Sequence, residues 1–182
     1  MLIDKHWLVG VPRLRSPHCD ARPGDATIDL IVVHDISLPP GEFGTGAVAA
    51  LFMGCLDAAM VRRFPDLAQL RVSAHVFIER SGRVTQFVAF DQRAWHAGDS
   101  VWRGRTGCNA FSVGIELEGT DTLPFTDPQY GVLTDVVAAL RRSYPTIAVD
   151  AVVGHEHIAP GRKTDPGPAF DWPRLRAALA RQ

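Results

Sequence analysis

Hydrophobic positions along the chain follow two rhythms. Residues 28–33, Ile-Asp-Leu-Ile-Val-Val, form a short, β-branched and nearly continuous apolar run, the pattern of a strand buried within a sheet. His34 stands at its end. Residues 74–79 and 84–90 read as two more strands, joined through Ser81-Gly82, where glycine supplies the positive φ of a tight hairpin turn. Residues 112–117 make a fourth strand and residues 151–153 a short last one. Elsewhere the period is helical. Thr126 with Gln129 is a capping-box signal, and Leu133, Val136, Val137, Leu140 and Tyr144 follow on one face, a helix that stops before Pro145. Asp171 caps a final helix carrying Leu175 and Leu179, with Pro173 tolerated because first-turn amides have no intrahelical acceptor. Residues 47–64 are apolar and partly helical, with Gly54 obscuring the limits. Strands and helices intersperse without strict alternation, which predicts an α/β fold with a central mixed β-sheet flanked by helices. Two segments, 37–44 and 159–168, are too rich in Pro and Gly for regular structure and read as loops.

The length of 182 residues fits one domain spanning 1–182, with one core and a cleft on one face. The balance of 19 Lys and Arg against 20 Asp and Glu, a formal charge of -1, leaves no electrostatic footprint for nucleic acid. No stretch approaches the roughly 20 apolar residues of a membrane span, and the amino end lacks the apolar segment of a secretory leader. Cys19, Cys55 and Cys108 are odd in number and widely spaced, unlike a disulfide framework. These features lead us to expect a cytoplasmic protein with no membrane, nucleic-acid or obligate protein partner.

A zinc hydrolase needs three protein ligands and one open position for water. His34 follows the first strand, His155 stands in a similar strand-then-loop setting after Val152-Val153-Gly154, and Asp165 lies ten residues on before Pro166-Gly167. Taken singly, a strand-end histidine is more often structural than metal-binding, and an aspartate before Pro-Gly is more often a turn residue.

Local strings narrow this choice. Val33-His34 with the Leu38-Pro39-Pro40-Gly41 loop, Ser73-Ala74-His75, Trp95-His96-Ala97-Gly98, Gly114-Ile115-Glu116-Leu117-Glu118-Gly119, and Gly154-His155 with Arg162-Lys163-Thr164-Asp165-Pro166-Gly167 occur in that order. Together, from about residue 7 to residue 172, they resemble the AmpD branch of the type 2 N-acetylmuramoyl-L-alanine amidases. The resemblance implies a fold shared with peptidoglycan-recognition proteins, Zn2+ on His34, His155 and Asp165, and Glu116 and Lys163 as catalytic side chains. Glu116 then moves the water's proton, and Lys163, two residues from Asp165, faces the oxyanion. Without the resemblance, Glu116 reads as a solvated strand carboxylate and Lys163 as an exposed loop charge. His75, Trp95 and His96 are expected to line the cleft, the alternative being a packed Trp and hydrogen-bonded histidines. Arg71 is a candidate for a stem-peptide carboxylate or else a surface charge. Glu118 shares the face of Glu116, with at most a supporting role.

Three positions depart from the family pattern. Asp35 stands where Asn is usual beside the ligand histidine, adding negative charge near the substrate. His157 replaces the usual Asp of Gly-His-x-Asp, placing an imidazole that could compete for metal. Gly107 stands where a second substrate-binding Arg is expected. The resulting expectation is hydrolysis of the muramyl-L-alanine amide in small 1,6-anhydro-muramyl peptides during cytosolic wall recycling, an activity that in relatives keeps β-lactamase induction low. The alternatives are a non-catalytic module that binds peptidoglycan fragments and an amidase acting on intact murein.

Overall fold

In the computed structural model, which describes residues 1–24 and 26–182, the apolar runs assemble into a five-stranded sheet. Its strands are β1 (Leu30–Ile36), β2 (Val76–Ile78), β3 (Val84–Gln86), β4 (Ser112–Glu118) and β5 (Val152–Gly154), in the order β5-β1-β4-β2-β3. The first four in that order are mutually parallel, and β3 is antiparallel to β2. The sheet is therefore mixed, as the interspersed elements predict. Three short ribbons lie outside it, pairing Ile3–Asp4 with Trp7–Leu8, Cys19–Ala21 with Gln92–Ala94, and Val101–Trp102 with Arg105–Thr106. None of these has a hydrophobic period long enough to be read in advance.

Register decides which side chains share a face. Across β1, β4 and β2, Val33, Ile115 and Val76 are aligned, and one residue on so are His34, Glu116 and Phe77. Aligned residues of neighbouring strands project to the same side and alternate along each strand. The first row packs into the larger core with Leu133, Val136, Val137 and Leu140 of α3 (Asp127–Ser143) and Leu175 of α5 (Trp172–Leu179). The second row faces the opposite side. There Phe77 joins Val48, Leu51 and Phe52 of α1 (Ala47–Phe52) in a smaller cluster, leaving the two titratable groups side by side.

Several boundaries differ from the sequence-based expectation. β1 starts two residues later and runs on through Ile36, so His34 lies within the strand rather than at its end. The ladder to β4 continues to Ile36 opposite Glu118, which carries the strand past polar Asp35. His155 opens a short helix, α4 (His155–Ile158), and does not sit in a loop. Residues 47–64 divide into α1 and α2 (Ala58–Arg63) about Gly54, whose φ of +66° favours glycine. The hairpin turn has Gly82 at φ +83°, where an added Cβ would also meet Pro128 at 2.9 Å.

Among the described residues no helix is long and apolar enough to cross a membrane. Cys19, Cys55 and Cys108 are free thiols.

The capping box of α3 forms as expected. Thr126 Oγ accepts from the Gln129 amide, and the Gln129 side chain accepts from the Thr126 amide at 3.0 Å. Gln129 also donates to the carbonyls of Ile78 and Glu118, so the cap fastens the helix to two strand ends. Thr126→Ala is expected to cost about 1 kcal/mol and to lower Tm by about 2–4 °C in thermal denaturation.

Candidate metal centre and active site

β5 runs beside β1 with Gly154 opposite Val33, so the next residue, His155, arrives level with His34. The 159–168 loop returns to the same end, where the Glu156 amide donates to the Asp165 carbonyl at 3.0 Å. Three donor atoms converge as a result. His34 Nδ1 is 3.0 Å from His155 Nδ1 and 3.0 Å from Asp165 Oδ2, and His155 Nδ1 is 3.1 Å from the same oxygen. Both imidazoles are buried.

The remaining ring nitrogens show what this cluster needs. His155 Nε2 lies 3.0 Å from the Ala97 carbonyl, which only accepts, so the neutral ring carries its proton on Nε2. Its Nδ1 lone pair then points at a carboxylate oxygen, a contact that a cation among the three donors, or a proton on the neighbouring His34 Nδ1, relieves. Burial, foremost, pushes the proton affinity of His34 down to about 4, which disfavours a second proton on that ring at neutral pH. Two buried nitrogen donors and one carboxylate oxygen fit a zinc ion with a place left for water, and these three residues are one group that could hold a metal.

A cleft of about 260 Å³ opens over the cluster, lined by Asp35, Trp95, His96, Glu116 and Lys163 beside the ligand set, with Leu51, Phe52 and Val72 among its apolar walls. Larger cavities exist, including one of about 470 Å³ between Trp102 and Trp172, but the three-ligand cluster lies in this one. Glu116 is about 9% exposed, and its Oε2 has no hydrogen-bond partner among the described residues. Burial, then the charges of Asp165 and Asp35, push its carboxyl well above the usual range, with Lys163 acting in the opposite sense. Asp35 is raised to about 8, by burial first and then by Asp121 and Asp165. Three carboxylates thus face one cleft, and Lys163 is the ammonium among them.

A family profile described as N-acetylmuramoyl-L-alanine amidase matches residues 24–168. The chain belongs to the N-acetylmuramoyl-L-alanine amidase family. The 1,6-anhydro-N-acetylmuramyl-L-alanine amidase AmpD of Salmonella typhimurium is 58% identical over 180 residues, 99% of this chain and 96% of that relative. The protein of that name from Escherichia coli is 56% identical over 182 residues, 100% of this chain and 99% of the relative. A crystal structure of a selenomethionine AmpD derivative matches with a TM-score of 0.94 at 55% identity, covering 98% of this chain and 99% of that one. A complex of the Escherichia coli amidase AmiD with anhydro-N-acetylmuramic acid-L-Ala-D-gamma-Glu-L-Lys matches with a TM-score of 0.62 at 28% identity, over 86% of this chain and 60% of that one.

Other expected site residues of this amidase-family chain fall in different places. Trp95 lines the cleft, its Nε1–H donating to Asp20 Oδ1 at 3.1 Å. His96 is in the wall against His34. His75 does not reach the cleft lining. It is fully buried beneath, where Nδ1 accepts from the Gly114 amide and Nε2–H donates to the Gln92 carbonyl, both at 3.0 Å. Arg71 is exposed and donates to the Ala68 and Leu70 carbonyls, beside a neighbouring hollow. His157 stays outside the metal cluster because its Nδ1 accepts from the Gly154 amide at 2.9 Å. Gly107 occupies φ +69°, a conformation that disfavours the Arg expected there. Glu118 accepts from the amides of Gly44 and Arg80 and so fastens the end of the 37–44 loop to β4. Asn109 and Asp121, which give no signal in sequence, stand close by.

Burial, foremost, lowers the His75 proton affinity from 6.5 to about 3. The unfolded chain therefore takes a proton there that the folded chain refuses, and stability is lost as pH falls from about 6.5 towards 3. Chemical denaturation across pH 6 to 4 is expected to give a steeper loss for the native chain than for His75→Asn, by up to about one proton.

Proposed function

We propose that this chain is a zinc-dependent N-acetylmuramoyl-L-alanine amidase. Its substrates are small peptidoglycan fragments carrying (1,6-anhydro-)N-acetylmuramic acid, it acts in the cytoplasm during wall recycling, and by removing those fragments it lowers β-lactamase induction. The observation that carries the reading is the meeting of His34, His155 and Asp165 within about 3 Å of one another beside buried Glu116. The high identity to AmpD proteins over nearly the whole chain supports the fragment substrate.

A zinc ion held by these three residues supplies Lewis acidity and shifts the pKa of water towards neutrality. Glu116 is the base that removes the attacking water's proton. The water oxygen bonds to the lactyl carbonyl carbon, and the π pair moves onto the carbonyl oxygen. Lys163 offers its ammonium to that developing charge. Glu116 then returns the proton to the alanine nitrogen as the carbon–nitrogen bond breaks, giving a muramic acid carboxylate and a peptide with a free amino end. The raised proton affinity of Glu116 suits this second transfer. Trp95 offers an aromatic face for the sugar, and Asp35 faces the same space.

The reading is tested by incubating the zinc-loaded protein with anhydro-muramyl tripeptide and, in parallel, with intact murein, and measuring released peptide. The tripeptide fragment is expected to be cleaved in preference. Glu116→Ala should retain zinc and lose about 10²–10⁴-fold in kcat. Lys163→Ala should lose about 10²–10³-fold, and Asp165→Ala should lose metal and activity together. Zinc retention without peptide release replaces this reading with a fragment-binding module, and preferential cleavage of murein replaces the substrate.

A further inference from the structure

We infer that the His96–Ala97 segment, pinned by Asn109, sets the ring tautomer and aim of both histidine ligands, so that His96 and Asn109 are positioning residues of the metal site. This rests on the reading of His34, His155 and Asp165 as zinc ligands.

Each histidine must present a bare Nδ1, so each must carry its proton on Nε2. His155 Nε2 meets the Ala97 carbonyl at 3.0 Å. His34 Nε2 meets His96 Nδ1 at 2.9 Å, and the two rings lie edge to face at 81°. His96 accepts at Nδ1 only if its own proton is on Nε2, and there Ser112 Oγ stands at 3.1 Å to receive it. Proton positions are thereby set along a chain from Ser112 through His96 to His34. Acceptors behind a ligand imidazole fix its orientation and raise its basicity.

Both acceptors spring from consecutive residues, and one side chain holds the pair. Asn109 Oδ1 accepts from the His96 amide at 3.0 Å and from the Ala97 amide at 2.8 Å. Opposite, β4 leaves space for the His96 ring, since a Cβ on Gly114 would come within 2.4 Å of His96 Cγ. Although the ring forms part of the cleft wall, both its nitrogens are engaged by protein. Supporting His34 therefore accounts for its polar atoms better than contact with sugar or peptide.

The test measures zinc affinity by competition with a chromophoric chelator, alongside the melting temperature of each zinc-free variant. His96→Leu and Asn109→Ala are expected to bind zinc about 10–100-fold more weakly than the native chain. His96→Asn, whose Oδ1 can replace the Nδ1 acceptor, and Asn109→Asp, which keeps an acceptor oxygen, should stay within about three-fold. Nitrogen NMR of the zinc-loaded native protein gives a reading independent of any variant's folding. His96 should be protonated on Nε2 and bare at Nδ1, and the reverse tautomer overturns the inference. Native zinc affinity in His96→Leu overturns the positioning role alone. A native chain that takes up no zinc sinks the metal reading and this inference with it.

Discussion

The parallel pairing of β1 with β4 on one side and β5 on the other is the constraint on which the rest depends. It sets His34 beside Glu116 in one register row and brings Gly154 level with Val33. The sequence step from Gly154 to His155 then delivers the second imidazole without any adjustable loop. A slip of one residue in either ladder would turn the polar row into the apolar core and the apolar row into the cleft. The continuous burial of residues 30–33 and of Val113, Ile115 and Leu117 makes that slip expensive. Core packing thus fixes the site.

The cleft's electrostatics follow from the same geometry. Asp35, Glu116 and Asp165 face one space with Lys163, and burial works against every charge placed there. A divalent cation among the donors would offset what one ammonium leaves uncompensated. Asp35 would shed that burden as a neutral acid, and its carboxyl is held up at about 8. His75 and Arg22 work below the cleft. Arg22 donates to the carbonyls of Phe90, Asn109, Ala110 and Ser112, securing the backbone that carries Asn109 and the start of β4.

Much of this was legible in the residues. The β-branched run before His34, the Thr126–Gln129 capping box and the Asp171 cap led to elements that formed, because each is a local signal decided within a few residues. The ordered strings from Val33 to Gly167 pointed to the family and to the three converging side chains. Long-range pairing was not legible. Period-two alternation says which residues share a face, but not which strand lies alongside, so the His34–Glu116–Phe77 row emerged only from the register. His75 and His96 looked alike in sequence. One is sealed behind the cleft wall by Gly114 and Gln92, and the other stands against His34 in that wall, a difference made by contacts from residues far away in the chain. Arg71 was read as a carboxylate partner or a surface charge and His157 as a possible competitor for metal, and sequence could not show that backbone carbonyls take up Arg71 Nη1 and the Gly154 amide takes up His157 Nδ1.

The most direct measurement is an anomalous diffraction map collected at the zinc absorption edge from crystals of the zinc-loaded protein. The account predicts one peak about 2.0–2.2 Å from Nδ1 of His34, Nδ1 of His155 and a carboxylate oxygen of Asp165. A peak bound through Nε2 of either histidine, or one sited away from this cluster, would contradict it.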